Sequence, residues 1–403
     1  MTLHRTALIL VAVLLSLTPR ALAQGEQWLS YRSGDDVAAR CGGAEGQTIE
    51  LSGEAPPGVR APAFQAAPLW GAWKTPLVSA GHLRLALDRS AADKPYDRLF
   101  IDTDADGELA DETPVAAVAA SAAAQVQAAK FRQVRLVLET ADGPVTYHLN
   151  LDLWLSPQRR QFVAQAGGWY EGRVRVGEKT LACALYDADA NGRFNDARED
   201  FRLSDRLSLE GTGFAMGRVG RCVIADGTLM ALEVAPDGAW IRLSPAADVP
   251  MGVLRVGERI ERISVGGAAG LLALAVADGR VALPAGRYRL NHWEAVRQDD
   301  RGYPWRAVAV VPAAGDGIDV TIEAGRTVDL DIGEPLKAAV TVVPRSVGPA
   351  GGLKSFTFAD PRLTGRRGER IAITCEGRQA PPPKLEIAAA DGSYRELYDF
   401  QFG

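Results

Sequence analysis

The sequence predicts a mainly β chain, laid out as several small antiparallel β-sandwich or barrel-like modules in tandem. Two observations carry that prediction. Apolar residues alternate with polar ones in run after run: Val134, Leu136 and Leu138; Leu149, Leu151, Leu153 and Leu155; Val174 and Val176; Val328, Leu330 and Ile332. This is the period of two that a half-buried strand requires. Between such runs stand seven Asp-Gly pairs, starting at Asp106, Asp142, Asp226, Asp237, Asp278, Asp316 and Asp391. Asp-Gly supplies the positive φ that tight hairpin turns need.

Residues 1–23 read as an export signal: Arg5 in a basic start, an apolar run from Thr6 to Leu17, and Ala21-Leu22-Ala23 as a small-x-small cleavage site. The apolar run is short for a bilayer span. The remaining 380 residues suit two to four domains. The expected modules are 24–164, 165–247, 248–335 and a sandwich-like unit at 336–403. The borders are drawn at Gln165–Gly168, at Ser244–Pro250 and at Pro335–Gly352. Gly42–Pro68, rich in Gly, Pro and Ala, reads as an irregular lead-in. Four hairpins are expected, turning at Asp142-Gly143, Asp237-Gly238, Asp278-Gly279 and Asp391-Gly392. Pro114–Ala129, Ala-rich and uncharged, reads either as one short helix or as an extended linker.

Two acidic loops carry the chemistry. The first runs Asp102-Thr103-Asp104-Ala105-Asp106-Gly107-Glu108-Leu109-Ala110-Asp111-Glu112. The second runs Asp187-Ala188-Asp189-Ala190-Asn191-Gly192-Arg193-Phe194-Asn195-Asp196. Both place oxygen side chains at positions 1, 3 and 5, Gly at 6 and a carboxylate at 10. Alternating Asp residues in a tight turn aim their oxygens at one centre, and Gly allows the sharp reversal after position 5. Calcium, a hard cation, takes 6–8 oxygens at about 2.3–2.6 Å. At position 7 only the carbonyls of Glu108 and Arg193 are needed. Closing carboxylates are expected from Asp111 or Glu112 and from Asp196. Position 12 holds Thr113 and Arg198, where a full helix-loop-helix calcium loop has Glu. The loops lie 85 residues apart, each after an apolar strand end, Leu99–Ile101 and Ala184–Tyr186. That spacing suggests a duplication, although the copies match poorly outside the loops.

These loops resemble the EF-hand-like calcium loops of exported bacterial proteins, of the excalibur and dockerin types. The resemblance covers about eleven residues per loop. The acid at position 10 is similar to the excalibur pattern, but the Cys that precedes it there is replaced by Ala110 and Asn195. The resemblance implies calcium as the bound group. It implies no cohesin partner, since the paired helices of a dockerin are missing.

Four cysteines, Cys41, Cys183, Cys222 and Cys375, fall in the exported part. They allow either two disulfides, best drawn as Cys183–Cys222 and Cys41–Cys375, or buried free thiols. No CxxC occurs, which argues against a zinc site. Net charge is −5, or −7 once Arg5 and Arg20 leave with the signal, and this argues against nucleic acid or an anionic membrane as partner. No HExxH or GxSxG is present, so the common hydrolase signatures are missing. Tyr288, Trp293, Tyr303 and Trp305 lie close together around His292 and Asp299-Asp300. They would suit a glycan if they faced solvent, or a sandwich core if buried. The sequence therefore predicts an exported, calcium-binding β protein of structural or adhesive type. The alternatives are an array that binds a glycan or another extracellular protein, and an extracytoplasmic hydrolase without a recognised motif.

Overall fold

A computed structural model of the chain describes residues 25–43, 46–123, 125–141, 143–311, 317–347 and 353–400. The expected export signal, Asp142, Asp316 and the chain end after Phe400 lie outside the described residues. The fold is mainly β, with several small antiparallel sheets in succession. Among the described residues the helical elements are one turn at Val37–Arg40 and a 3-10 turn at Phe201–Leu203.

A first meander is formed by Leu69–Lys74, His82–Arg89, Tyr96–Ile101 and Val115–Ala116. Beside it in sequence comes a five-stranded sheet around the long hairpin of Val126–Thr140 and Gly143–Leu155. Here the alternation expected from sequence is realised: Val134, Leu136, Leu138, Leu149, Leu151 and Leu153 are all buried, with Leu136 opposite Tyr147 and Val134 opposite Leu149. A second meander runs Ser30–Ser33, Gly168–Val176, Lys179–Tyr186, Arg206–Leu209 and Gly217–Arg218. The Ala-rich stretch after Pro114 is neither a helix nor an unpaired linker. It supplies the short strand Ala119–Ala123 and opens the strand Val126–Thr140, with Ala120 opposite Ala129.

One hydrophobic core gathers residues from Leu29 to Leu243 and so crosses the position of the expected 164/165 border. Strand pairing crosses it too: Ser30–Ser33 pairs with Gly168–Glu171, and Gln27–Trp28 with Trp240–Ile241. The Gly-rich stretch at 165–168 is the place where the chain passes from one sheet to the next under tight packing. A Cβ on Gly168 would lie 2.0 Å from the Tyr31 hydroxyl, and one on Gly167 3.0 Å from the His148 backbone. A second core runs from Leu254 to Ile332 and includes Ile224. Its nine-stranded sheet continues through Pro304–Val310 into Arg370–Cys375 and Leu353–Thr364. Of the described side chains after residue 336, Glu369 alone is buried.

Three of the four expected hairpins form, all but the third, with Gly143 opposite Thr140, Val234 opposite Ile241 and Ala388 opposite Arg395. The third is corrected. Asp278 and Gly279 do turn with positive φ (50° and 69°), but the flanking strands separate. Gly270–Ala275 pairs with Ile260–Gly267, and Arg280–Pro284 with Met251–Arg255. Among the described residues the antiparallel rule has one exception, the parallel pairing of Met251–Arg255 with Thr327–Asp329. The disulfides are corrected as well. Cys183, Cys222 and Cys375 are free thiols, and Cys41 directs its S–H to the Gly43 carbonyl at 3.2 Å. Cys183 packs in the first core, whereas Cys222 lies beside Tyr288 of the second; their strands belong to different sheets, and the two thiols face different interiors.

Candidate metal centre

Both acidic loops connect neighbouring antiparallel strands. The first joins Tyr96–Ile101 to Val115–Ala116, and the second joins Lys179–Tyr186 to Arg206–Leu209. Their backbones follow one frame. Position 4 is left-handed in each, Ala105 at φ 63° and Ala190 at 54°, and so is position 6, Gly107 at 86° and Gly192 at 93°. The first Asp accepts the Gly backbone N–H in both, Gly107 to Asp102 at 3.0 Å and Gly192 to Asp187 at 2.6 Å. The residue at position 5 accepts from position 7 at 2.7 Å in both, Glu108 to Asp106 and Arg193 to Asn191. Position 8 is the anchor: Leu109 and Phe194 are fully buried. Leu109 packs with Trp70, Ala86 and Phe100, and Phe194 with Tyr147 and Tyr170.

In the first loop, carboxylate oxygens of Asp102, Asp104 and Asp106 lie within 4.8 Å of one another. Asp102 is 2% exposed, and its Oδ1 is buried without a hydrogen-bond partner. Burial, opposed by two backbone N–H bonds and aided by the charges of Asp104 and Asp106, holds its carboxyl above the ordinary value. Glu112 is turned onto Thr103, accepting from its backbone N–H and, at 2.9 and 3.0 Å, from its hydroxyl. Asp111 is exposed. The Glu108 side chain pairs outward with Arg60, as expected of a position where only the carbonyl matters.

The second loop is more deeply set. Asp187, Asp189 and Asp205 bring carboxylate oxygens within 4.8 Å of one another, and Asp187 and Asp205 are buried. Tyr147 donates its hydroxyl to Asp187 at 2.8 Å and stacks on Trp73. The Trp73 indole N–H in turn holds the Ala190 carbonyl at 2.7 Å, so the first core grips the loop from beneath. Burial first, then the charge of Asp189, pushes Asp187 well above the carboxylate range; burial and then Asp187 do the same to Asp205. Asp189 is raised by burial and then by Asp196, and its Oδ1 is buried without a partner. Asn191 turns its amide N–H toward Asp196 at 2.7 Å. Asp196 also receives Arg198 at 2.7 Å and donates its backbone N–H to Asp205 at 2.7 Å.

Sequence reasoning missed Asp205. It lies nine residues beyond position 10 and is delivered by the returning strand, where Arg206 stands opposite Tyr186. Asp-Arg-Leu occurs at Asp97–Leu99 as well as at Asp205–Leu207, but the first triplet precedes its loop and Asp97 is not in that loop's cluster, so it does not mark Asp205 in the sequence. In both triplets the Asp accepts a backbone N–H from across a turn, from Ser90 at 2.6 Å and from Ala188 at 2.9 Å.

Other constellations resolve differently. Tyr288 and Trp293 are core residues, 1% exposed each, while Tyr303 is exposed and Trp305 donates to Asp299 at 3.1 Å. The four aromatics therefore do not share one surface. Ser264 Oγ lies 2.6 Å from His292 Nδ1, with Glu294 3.7 Å beyond Nε2. Ser264 is fully buried between paired strands, out of reach of an acyl group.

Among the described residues, then, two acidic clusters could hold a metal ion, one at each predicted loop. Compared with known proteins, the chain matches no family model, no curated protein and no solved structure.

Proposed function

We propose that the chain is an exported β protein of structural or adhesive type, in which calcium in the two loops rigidifies the sheets they join. The observation that carries this reading is the convergence of Asp187, Asp189 and Asp205 against the first core. Three carboxylates so placed repel one another and lose hydration, a cost that a hard divalent cation offsets. The ligand groups fit the ion. Asp102, Asp104, Asp106 and the Glu108 carbonyl would serve the first loop, with Glu112 closing once it leaves Thr103. Asp187, Asp189, Asn191, the Arg193 carbonyl, Asp196 and Asp205 would serve the second. All are oxygen donors, which suits calcium over zinc. Arg5, the apolar run to Leu17 and Ala21–Ala23 support export. Outside the cell calcium is nearly constant, so a site with Kd near ~10⁻⁴ M stays mostly filled and acts as a staple.

The test is calorimetric titration of residues 24–403 with calcium, beside melts in calcium and in chelator. Filling one site at a hundred times its Kd adds about 2.7 kcal/mol, or roughly 5–10 °C in Tm at about 2–4 °C per kcal/mol. Asp102→Ala and Asp187→Ala should each remove part of that gain. Coincident melts with and without calcium reject the reading.

A further inference from the structure

The proposed second calcium loop carries its own cation. Arg198 stands at position 12, where a full calcium loop has a ligand carboxylate. Its Nη2 lies 2.7 Å from Asp196 Oδ2 and 3.6 Å from Asp189 Oδ2. Two of the groups a calcium ion would need are thereby engaged by a guanidinium, while Asp189 keeps Oδ1 buried without a partner. The first loop differs. Thr113 stands at its position 12, and the guanidiniums beside the loop engage groups of it other than the proposed ligand oxygens. Arg60 pairs with Glu108, and Arg84 donates to the Gly107 carbonyl at 2.7 Å. Asp102, 2% exposed, retains its unpartnered Oδ1 there.

We propose that Arg198 is a tethered competitor of calcium in the second loop, a cation that must swing out before the ion can take Asp189 and Asp196. The inference rests on the calcium reading above and adds a regulatory residue to it. The Arg198 side chain is 49% exposed, so it can leave for water. An ion pair this exposed contributes little to the fold, and the loop keeps its frame through Tyr147, Trp73 and Gly192. Bound calcium and a guanidinium a few ångströms away would also repel. The second loop therefore binds calcium more weakly than its oxygen donors alone would dictate, and filling it releases Arg198 to solvent.

The experiment isolates the second loop by removing the first with Asp102→Asn, then titrates calcium into Asp102→Asn, Asp102→Asn/Arg198→Gln and Asp102→Asn/Arg198→Lys. The Arg198→Gln form should bind about fivefold more tightly or better, the factor that corresponds to an exposed pair at the upper end of its usual range. The Lys form should stay close to the Asp102→Asn parent. Melts in chelator check that each variant is folded, and Arg198→Ser serves as a second neutral replacement. Equal affinity in the Arg198→Gln and parent forms overturns the proposal. So does a result in which the wild type binds but no Asp102→Asn form does, because the second loop is then not a site. If no form binds, wild type included, the calcium reading itself falls.

Discussion

Asp88 and Asp187 are both buried carboxylates at strand ends, and their surroundings differ. Asp88, fully buried, has Arg98 at 3.5 Å and accepts the Gln65 N–H. Asp187 faces Asp189 and Asp205 instead. Without metal, burial and mutual repulsion raise the Asp187 and Asp205 carboxyls above their ordinary 3.8 in the folded chain only. Above pH 3.8 the unfolded chain releases protons that the folded chain still holds. Stability of the chelated protein therefore falls as pH rises from 3.8 through the raised folded values. Asp189→Asn removes one of the charges that pushes Asp187 up and forfeits no hydrogen bond at Oδ1. It should flatten this slope and raise the chelated Tm near neutrality by about 2–4 °C, the equivalent of about 1 kcal/mol, while weakening calcium binding. Melts of both chains in chelator across the acid-to-neutral range decide it; parallel slopes would contradict the argument. Asp187, Asp189 and Asn191 were legible because adjacent residues in a tight turn meet whatever the rest of the chain does. Asp205 was not, because strand register brings it in.

The loop as an element depends on two left-handed residues and a buried anchor, and the two copies differ in how much room they leave. A Cβ on Gly192 would meet Leu77 Cδ1 at 2.6 Å and Thr75 Oγ1 at 3.3 Å. One on Gly107 would meet only the Arg84 guanidinium at 3.5 Å. Both positions have positive φ, so both Ala variants carry backbone strain of about 1 kcal/mol. Gly192→Ala adds a clash within the core, with a total of about 2–4 kcal/mol. Urea melts should rank Gly192→Ala well below Gly107→Ala, and equal losses would show that the second loop yields more than its packing implies. At this scale the sequence was a good guide wherever the signal is local. Asp237-Gly238 and the turn before Gly143 formed the hairpins they indicate. Asp278-Gly279 formed its turn but not its hairpin, because a turn fixes the direction of the chain and not the sheet that its strands join. The Ala-rich stretch after Pro114 lacks an apolar face of either period, and sheet pairing settled its conformation.

At the scale of the molecule, both acidic loops leave strands of the first large core, although Leu109, the anchor of the first loop, packs in a small cluster of its own with Trp70, Ala86 and Phe100. The second loop is held by Trp73, Tyr147 and Phe194, all in the core that spans Leu29 to Leu243. The first loop leaves the strand Tyr96–Ile101, whose Leu99 and Ile101 lie in that same core. The core from Leu254 to Ile332 has neither cluster among the described residues. Calcium should therefore stabilise the two bodies unequally. In calorimetric scans the calcium-loaded chain should show transitions close together, and chelator should move one of them down while the other holds its position. Phe201 is the contact to watch. It lies just past the second loop, and a Cβ on Gly266 of the second body would sit 2.2 Å from its ring, so this side chain is wedged against the neighbouring sheet. Phe201→Ala, which opens a cavity worth about 3–5 kcal/mol at a fully buried site, should widen the separation of the two transitions in calcium as well as in chelator. A single transition that moves as one unit under chelation, in the wild type and in Phe201→Ala alike, would mean that the two cores unfold together and that the loops staple the whole chain.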